Sequence, residues 1–566
     1  MIKPKKEFRV IWDKTNIGEN YPGITLPLTY SFIKDAYSHV YSNFMSLVAV
    51  DKKTLEAHQE IFDNLIGYVK GEVFYNINNW YKLLKLLPGY LYNRRFFENM
   101  LNPVTKKSGE GKEKLKFRDF WNNRKILFKL IKSILLINSL HKRFDQEFYT
   151  IYQKYKREKL SELDNFQLVS LFKRLEREFF PLWGITIVND FKVMVYLGLL
   201  TEFSQKHTVN SQEILKTTSD IEKIPQSIAP LKSLKDIVQL IKSEPEYVSL
   251  FAQDNQAILE RLPFQAFEHL NKAIETYINN YGERTRNELK LEETNFKNNP
   301  AELIALLKHY LKLGKTRQAI KISKDDKSLL ASMNLSFLHK FIFNHLKNHT
   351  VSSVRKREYY RLKRAKVFNI AREIFMEIGR RLKQAGDIKA TDDIFYLYKD
   401  EIFDYVRFHR LRTNFHQLIS QRKKTLSRYA KSSLSQRIKT QDLPNSEKIH
   451  EYLPPTTPSQ KFLVGQPTSR GQLKEAEVVV MNTLDLEVDV KNKVLVTQAT
   501  DPGWTIIFPL LKGVITEQGG MLSHASVVAR ELRLPCIVAV PNATKVLKTG
   551  DKIEMDAIKG QIRKLN

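Results

Sequence analysis

Residues 516–532 of this 566-residue chain, TEQGGMLSHASVVAREL, hold the residue types best placed to do chemistry. A β-type run ends at Thr516, and Gly519 and Gly520 permit a tight turn with close backbone approach. Ser523 suits a helix N-cap, which puts His524 in the first helical turn. Unsatisfied backbone N–H groups and the positive end of the helix dipole favour an anion there. The same field disfavours an imidazolium, so His524 is expected as a neutral nucleophile. A phosphoryl group accepted by its ring would meet donors already in place. A lone histidine at a helix start also serves as a cap or a surface residue, so the pattern alone leaves both readings open.

The elements that must position this histidine lie in a C-terminal region rich in Val and Ile. Short strands are expected at 477–481, 493–498, 513–516, 536–540 and 552–555, with one helix from Ser523 to about Leu532, stopped before Pro535. Together they make a small α/β domain over 471–566. Residues 440–470, with Pro444, Pro454, Pro455, Pro458 and Pro467, read as a linker whose span as a flexible coil is on the order of 30 Å. Upstream, 1–439 reads as a large, mostly α-helical domain. An extended start over 1–28 is followed by amphipathic segments such as 120–142, 165–204, 301–313 and 361–385, with an exposed loop at 104–114. The expected fold class is multidomain, α plus α/β.

The run 516–535 (TEQGGMLSHASVVARELRLP), with 499–505 (ATDPGWT) and 465–471 (GQPTSRG), resembles the phosphohistidine domain of phosphoenolpyruvate-utilising dikinases, the family of phosphoenolpyruvate synthase, pyruvate phosphate dikinase and rifampicin phosphotransferase. The resemblance implies a swivelling β/β/α domain in which His524 takes phosphate from ATP. Thr516, Gly519, Gly520 and Ser523 would support it, and Arg530 would be a structural or positioning residue. Leu522 stands where several dikinases carry a regulatory threonine. Residues 12–29, 189–191 (NDF), 281–289 (YGERTRNEL) and 392–401 (DDIFYLYKDE) are similar to blocks of the family's central helical domain. The family often reads Gly-His-Arg-Gly where this chain has Gly282, Glu283, Arg284 and Thr285. Candidates for an acceptor site there are Asn189, Asp190, Arg284, Glu288, Arg357 and Arg361. Asn189 and Asp190 sit on an apolar helix face, where an unpaired polar group would cost about 1–3 kcal/mol, so both need partners.

In that family ATP is bound by an ATP-grasp domain preceding the helical one, and here about seven residues precede Phe8. The expectation is therefore a split enzyme. A separate ATP-grasp partner binds ATP and Mg2+ and phosphorylates His524, which relays the group to a small-molecule acceptor on the helical domain. A hydroxyl compound or an enolisable acid would serve as acceptor. The alternatives are a non-enzymatic phosphohistidine relay and a basic nucleic-acid-binding protein. The formal charge of +30 bears on the latter: residues 465–566 contribute +2, leaving +28 for the rest. No zinc-finger, RRM or basic-zipper pattern accompanies that charge, and solvated lysine-rich helix faces account for it. One cysteine, Cys536, excludes a disulfide framework or a thiolate metal site, and no metal ligands are proposed. No signal-like start or long uncharged apolar run is evident, so a cytoplasmic location is expected. Gly314, Lys315 and Thr316 lack the earlier glycine of a P-loop.

Overall fold

The computed structural model describes residues 10–47, 50–86, 132, 135–206, 229–283, 287–312, 336–408, 414–431, 434–441, 449–451, 462–485, 488–521 and 523–565. The loop at 104–114, Gly314–Thr316, Arg284 and Leu522 lie outside them. The chain is mostly helical, with a small α/β domain at its C-terminal end. It forms two compact units, Met1–Gly198 with Lys290–Glu292 and Val367–Thr456, and Leu199–Leu289 with Glu293–Lys366 and Thr457–Asn566. The units do not follow the expected single helical domain over 1–439. The long helices Asn165–Lys206 and Phe337–Gln384 each supply residues to both, and periodicity reports that a helix face is buried without saying what covers it.

The first unit contains a sheet that the helical pattern hid. Strands β1 (Val10–Asp13), β2 (Ile66–Val69), β3 (Glu72–Asn76), β4 (Arg437–Thr440) and β5 (Ile449–Glu451) pair antiparallel in the order β2-β3-β1-β4-β5. Trp12 is fully buried at its centre, and its indole N–H donates to Thr440 Oγ1 at 2.8 Å. Gly67 lies flat against that ring, where a Cβ would come within 2.3 Å of it. Helix Asn165–Lys206, read from the sequence as an amphipathic segment over 165–204, holds a window long and apolar enough to cross a membrane by composition. It also buries Asn189 and Lys192, and 44% of that window is buried within the protein.

The second unit has a helical part and a sheet part. Helices Ala229–Ser243, Glu268–Tyr281 and Pro300–Lys312 bury Leu234, Ile241, Leu270, Ile304 and Leu307 against one another. The sheet comprises β6 (Leu463–Val464), β7 (Gln466–Ser469), β8 (Gln472–Val480), β9 (Val494–Thr497), β10 (Gly513–Thr516), β11 (Cys536–Val538), β12 (Lys552–Asp556) and β13 (Gln561–Leu565), in the order β6-β13-β12-β8-β9-β10-β11-β7. Its four central strands, β8 to β11, run parallel. Both faces are covered: Leu495 and Val514 pack on the side of helix His524–Glu531, while Val494, Val496 and Ile515 pack on the other. That explains the unbroken apolar runs of the central strands. β5, β6 and β7 fall within the stretch that its prolines marked as linker. Pro467 is accommodated because β7 is an edge strand, where a missing N–H breaks no ladder.

Candidate functional site around His524

In an open parallel sheet, ligands bind beyond the carboxyl ends of the strands. β9 and β10 are neighbours in register, with Thr497 opposite Thr516, so the segments following them emerge side by side. One carries Gly519, Gly520 and His524, and the other carries 498–506. Ser523 caps helix His524–Glu531 as expected, accepting from Ser526 N, and its hydroxyl meets that of Ser526 at 3.0 Å. Gly519 has φ +108°, a conformation few side chains tolerate, and a Cβ there would lie 2.9 Å from Ser523. Gly520 faces open space. Thr516 is buried, its hydroxyl donating to the Gln518 carbonyl at 2.6 Å, which fixes the start of the turn.

His524 is 2% exposed, and both ring nitrogens are engaged. Thr500 Oγ1 lies 3.1 Å from Nδ1 and Thr505 Oγ1 lies 3.0 Å from Nε2. A neutral imidazole donates from one nitrogen and accepts at the other, so one threonine accepts while its counterpart donates. The edge of Phe508 closes the ring's flank, with centroids 6.0 Å apart. Here the imidazole is oriented and covered. To attack phosphorus, a ring nitrogen must first part from its threonine.

Sequence reasoning had 499–505 as a matching block but gave Thr500 and Thr505 no role. The available signal was the parallel pairing of β9 with β10, which brings the two loops together. Asp501, also overlooked, is buried and accepts from Gly503 N at 2.8 Å and Asn287 N at 3.1 Å. Burial pushes its carboxyl up to about 6. Arg530 faces elsewhere: its Nη1 reaches the Thr468 carbonyl at 3.5 Å, tying the helix to β7, and burial lowers its guanidinium to about 10.

Of the acceptor-site candidates, Glu288 and Arg361 meet as a nearly buried ion pair at 3.3 Å, and both act electrostatically on Asp501. Lys366 pairs at 3.4 Å with Glu283, the residue that replaces the family's histidine. Arg357 lies one turn before Arg361 on the same helix. Asn189 and Asp190 belong to the first unit, Asn189 fully buried and both partnered. Among the described residues no group of three or more His, Cys, Asp or Glu side chains could hold a metal ion.

Two family models and several curated proteins match parts of this chain. Residues 489–560 match the family "PEP-utilising enzyme, mobile domain", and residues 188–358 match "Rifampicin phosphotransferase fourth domain". Rifampicin phosphotransferase of Bacillus cereus is 27% identical over 59% of this chain and 39% of its own length. The same-named protein of Bacillus subtilis is 28% identical over 58% and 39%. The prodigiosin synthesizing transferase PigC of Serratia marcescens is 23% identical over 99% of this chain and 63% of its own. The chain thus spans about two fifths of the length of the rifampicin phosphotransferases it matches.

Proposed function

From a chain that carries the mobile domain of phosphoenolpyruvate-utilising enzymes and the fourth domain of rifampicin phosphotransferases, we propose a phosphotransferase whose His524 carries the phosphoryl group. The observation that carries the reading is the imidazole itself. It stands at the first turn of a capped helix, behind a Gly519–Gly520 turn, at the carboxyl end of parallel strands. A ring nitrogen attacks the β-phosphorus of ATP and displaces AMP, giving a pyrophosphoryl-histidine, and water then cleaves off the terminal phosphoryl group as phosphate to leave phospho-His524. An acceptor oxygen then attacks the same phosphorus, the P–N bond breaks, and the hydroxyl proton passes to the imidazole.

We assign nucleotide and Mg2+ binding to an ATP-grasp module acting in trans, as the resemblance to the dikinases implies. The acceptor belongs with the helical part of the second unit, where the Glu288–Arg361 pair acts on Asp501 and Lys366 pairs with Glu283. A small hydroxyl compound or an enolisable acid would serve as acceptor. The purified chain alone should leave Mg-ATP intact and give no calorimetric binding signal. Adding the ATP-grasp portion of a related phosphotransferase should produce AMP, and His524→Ala should abolish it. Micromolar Mg-ATP binding by the isolated chain would overturn the assignment in trans.

A further inference from the structure

The turn that covers His524 is fastened at both ends to the helical part of its own unit. Asp501 accepts from Gly503 N within the turn and from Asn287 N on the helical side. At the other end Tyr310, buried in helix Pro300–Lys312, donates its hydroxyl to the Ile506 carbonyl. Ile506 packs against the helical core, as does Leu532, the residue that ends the histidine helix. Thr500 and Thr505, which occupy the two nitrogens of His524, belong to the segment these fastenings hold.

The fastening at Asn287 is built rather than incidental. Asn287 is a non-glycine residue at φ +52°, left-handed backbone that costs free energy unless something holds it. Its side-chain amide donates to Glu293 Oε1 at 2.9 Å, keeping the peptide N–H turned toward Asp501.

We propose that Asn287, Asp501 and Tyr310 are positioning residues that couple seating of the histidine-bearing sheet on the helices to closure of the Thr500–Thr505 clamp over His524. While the sheet is seated, both ring nitrogens are covered. When the fastenings part, the turn is free to move and a nitrogen becomes available for attack. The inference rests on the carrier reading of His524 for its purpose, but not for its test.

Diethyl pyrocarbonate acylates an accessible, unprotonated imidazole, so its rate at His524, followed by peptide mass spectrometry on the full chain, reads the clamp directly. Tyr310→Phe removes one hydroxyl and should raise that rate about tenfold, the equivalent of one lost hydrogen bond. Asn287→Val disfavours the left-handed backbone and removes the amide held by Glu293, and should do the same, whereas Asn287→Gly keeps the backbone conformation, loses only the amide and should raise the rate less. Melting curves identify a variant that has unfolded, and Tyr310→Phe decides alone if Asn287→Val does not fold. A wild-type rate in both variants, alongside acceleration in Thr505→Val, would overturn the coupling. Failure of His524 to accept a phosphoryl group would remove the carrier reading and leave this result standing.

Discussion

Asp501 holds a carboxyl that burial pushes up to about 6, with neighbouring Glu288 adding to the rise. The N–H groups of Asn287 and Gly503 and the Arg361 guanidinium act in the opposite direction. A folded-state value above the unfolded one means the native protein binds this proton more tightly. The stability it contributes is fully present below the unfolded value of 3.8 and is lost as pH rises through about 6. The span of that loss is on the order of 3 kcal/mol. Denaturant unfolding of the full chain between pH 4 and pH 7 should therefore show a falling component that Asp501→Asn flattens. An unchanged slope in the variant would show that Asp501 is not the group responsible. At this scale the sequence announces His524, its glycines and its cap, because they are local in the chain. Thr500, Thr505 and Tyr310 are not announced, since each acts through a contact that exists only once β9 lies beside β10 or the sheet is seated on the helices.

The turn and helix around His524 depend on backbone conformation as much as on side chains. Gly519→Ala forces a side chain into left-handed backbone at φ +108° and against Ser523, and should destabilise by about 1–3 kcal/mol. Gly520→Ala meets nothing within 4 Å and should be nearly neutral to folding. Equal melting temperatures for the two variants would contradict this account of the turn. The central strands and the histidine helix were legible because Val- and Ile-rich runs and a serine cap are local signals. The antiparallel sheet of the first unit was not legible. Its strands have three to five residues, and Trp12 finds its partner Thr440 only 428 positions later. The prolines of 440–470 were read as linker, but Pro467 marks the edge strand β7. The described residues of that stretch are largely strand, while 442–448 and 452–461 lie outside the described residues.

At the scale of the whole molecule, composition correctly pointed to a helical majority and a small α/β region, but not to two units that share the long helices. A charge of +30 is a property of solvated surface and by itself names no partner. The proposed function asks one histidine to leave its clamp, receive a phosphoryl group and return with it. The most direct measurement supplies the full chain with Mg2+, ATP labelled at the β-phosphorus and the ATP-grasp portion of the Bacillus cereus relative. The label should reside on His524, stable in base and lost in acid, and should be absent from His524→Ala. Label carried equally by wild type and His524→Ala would contradict the central claim.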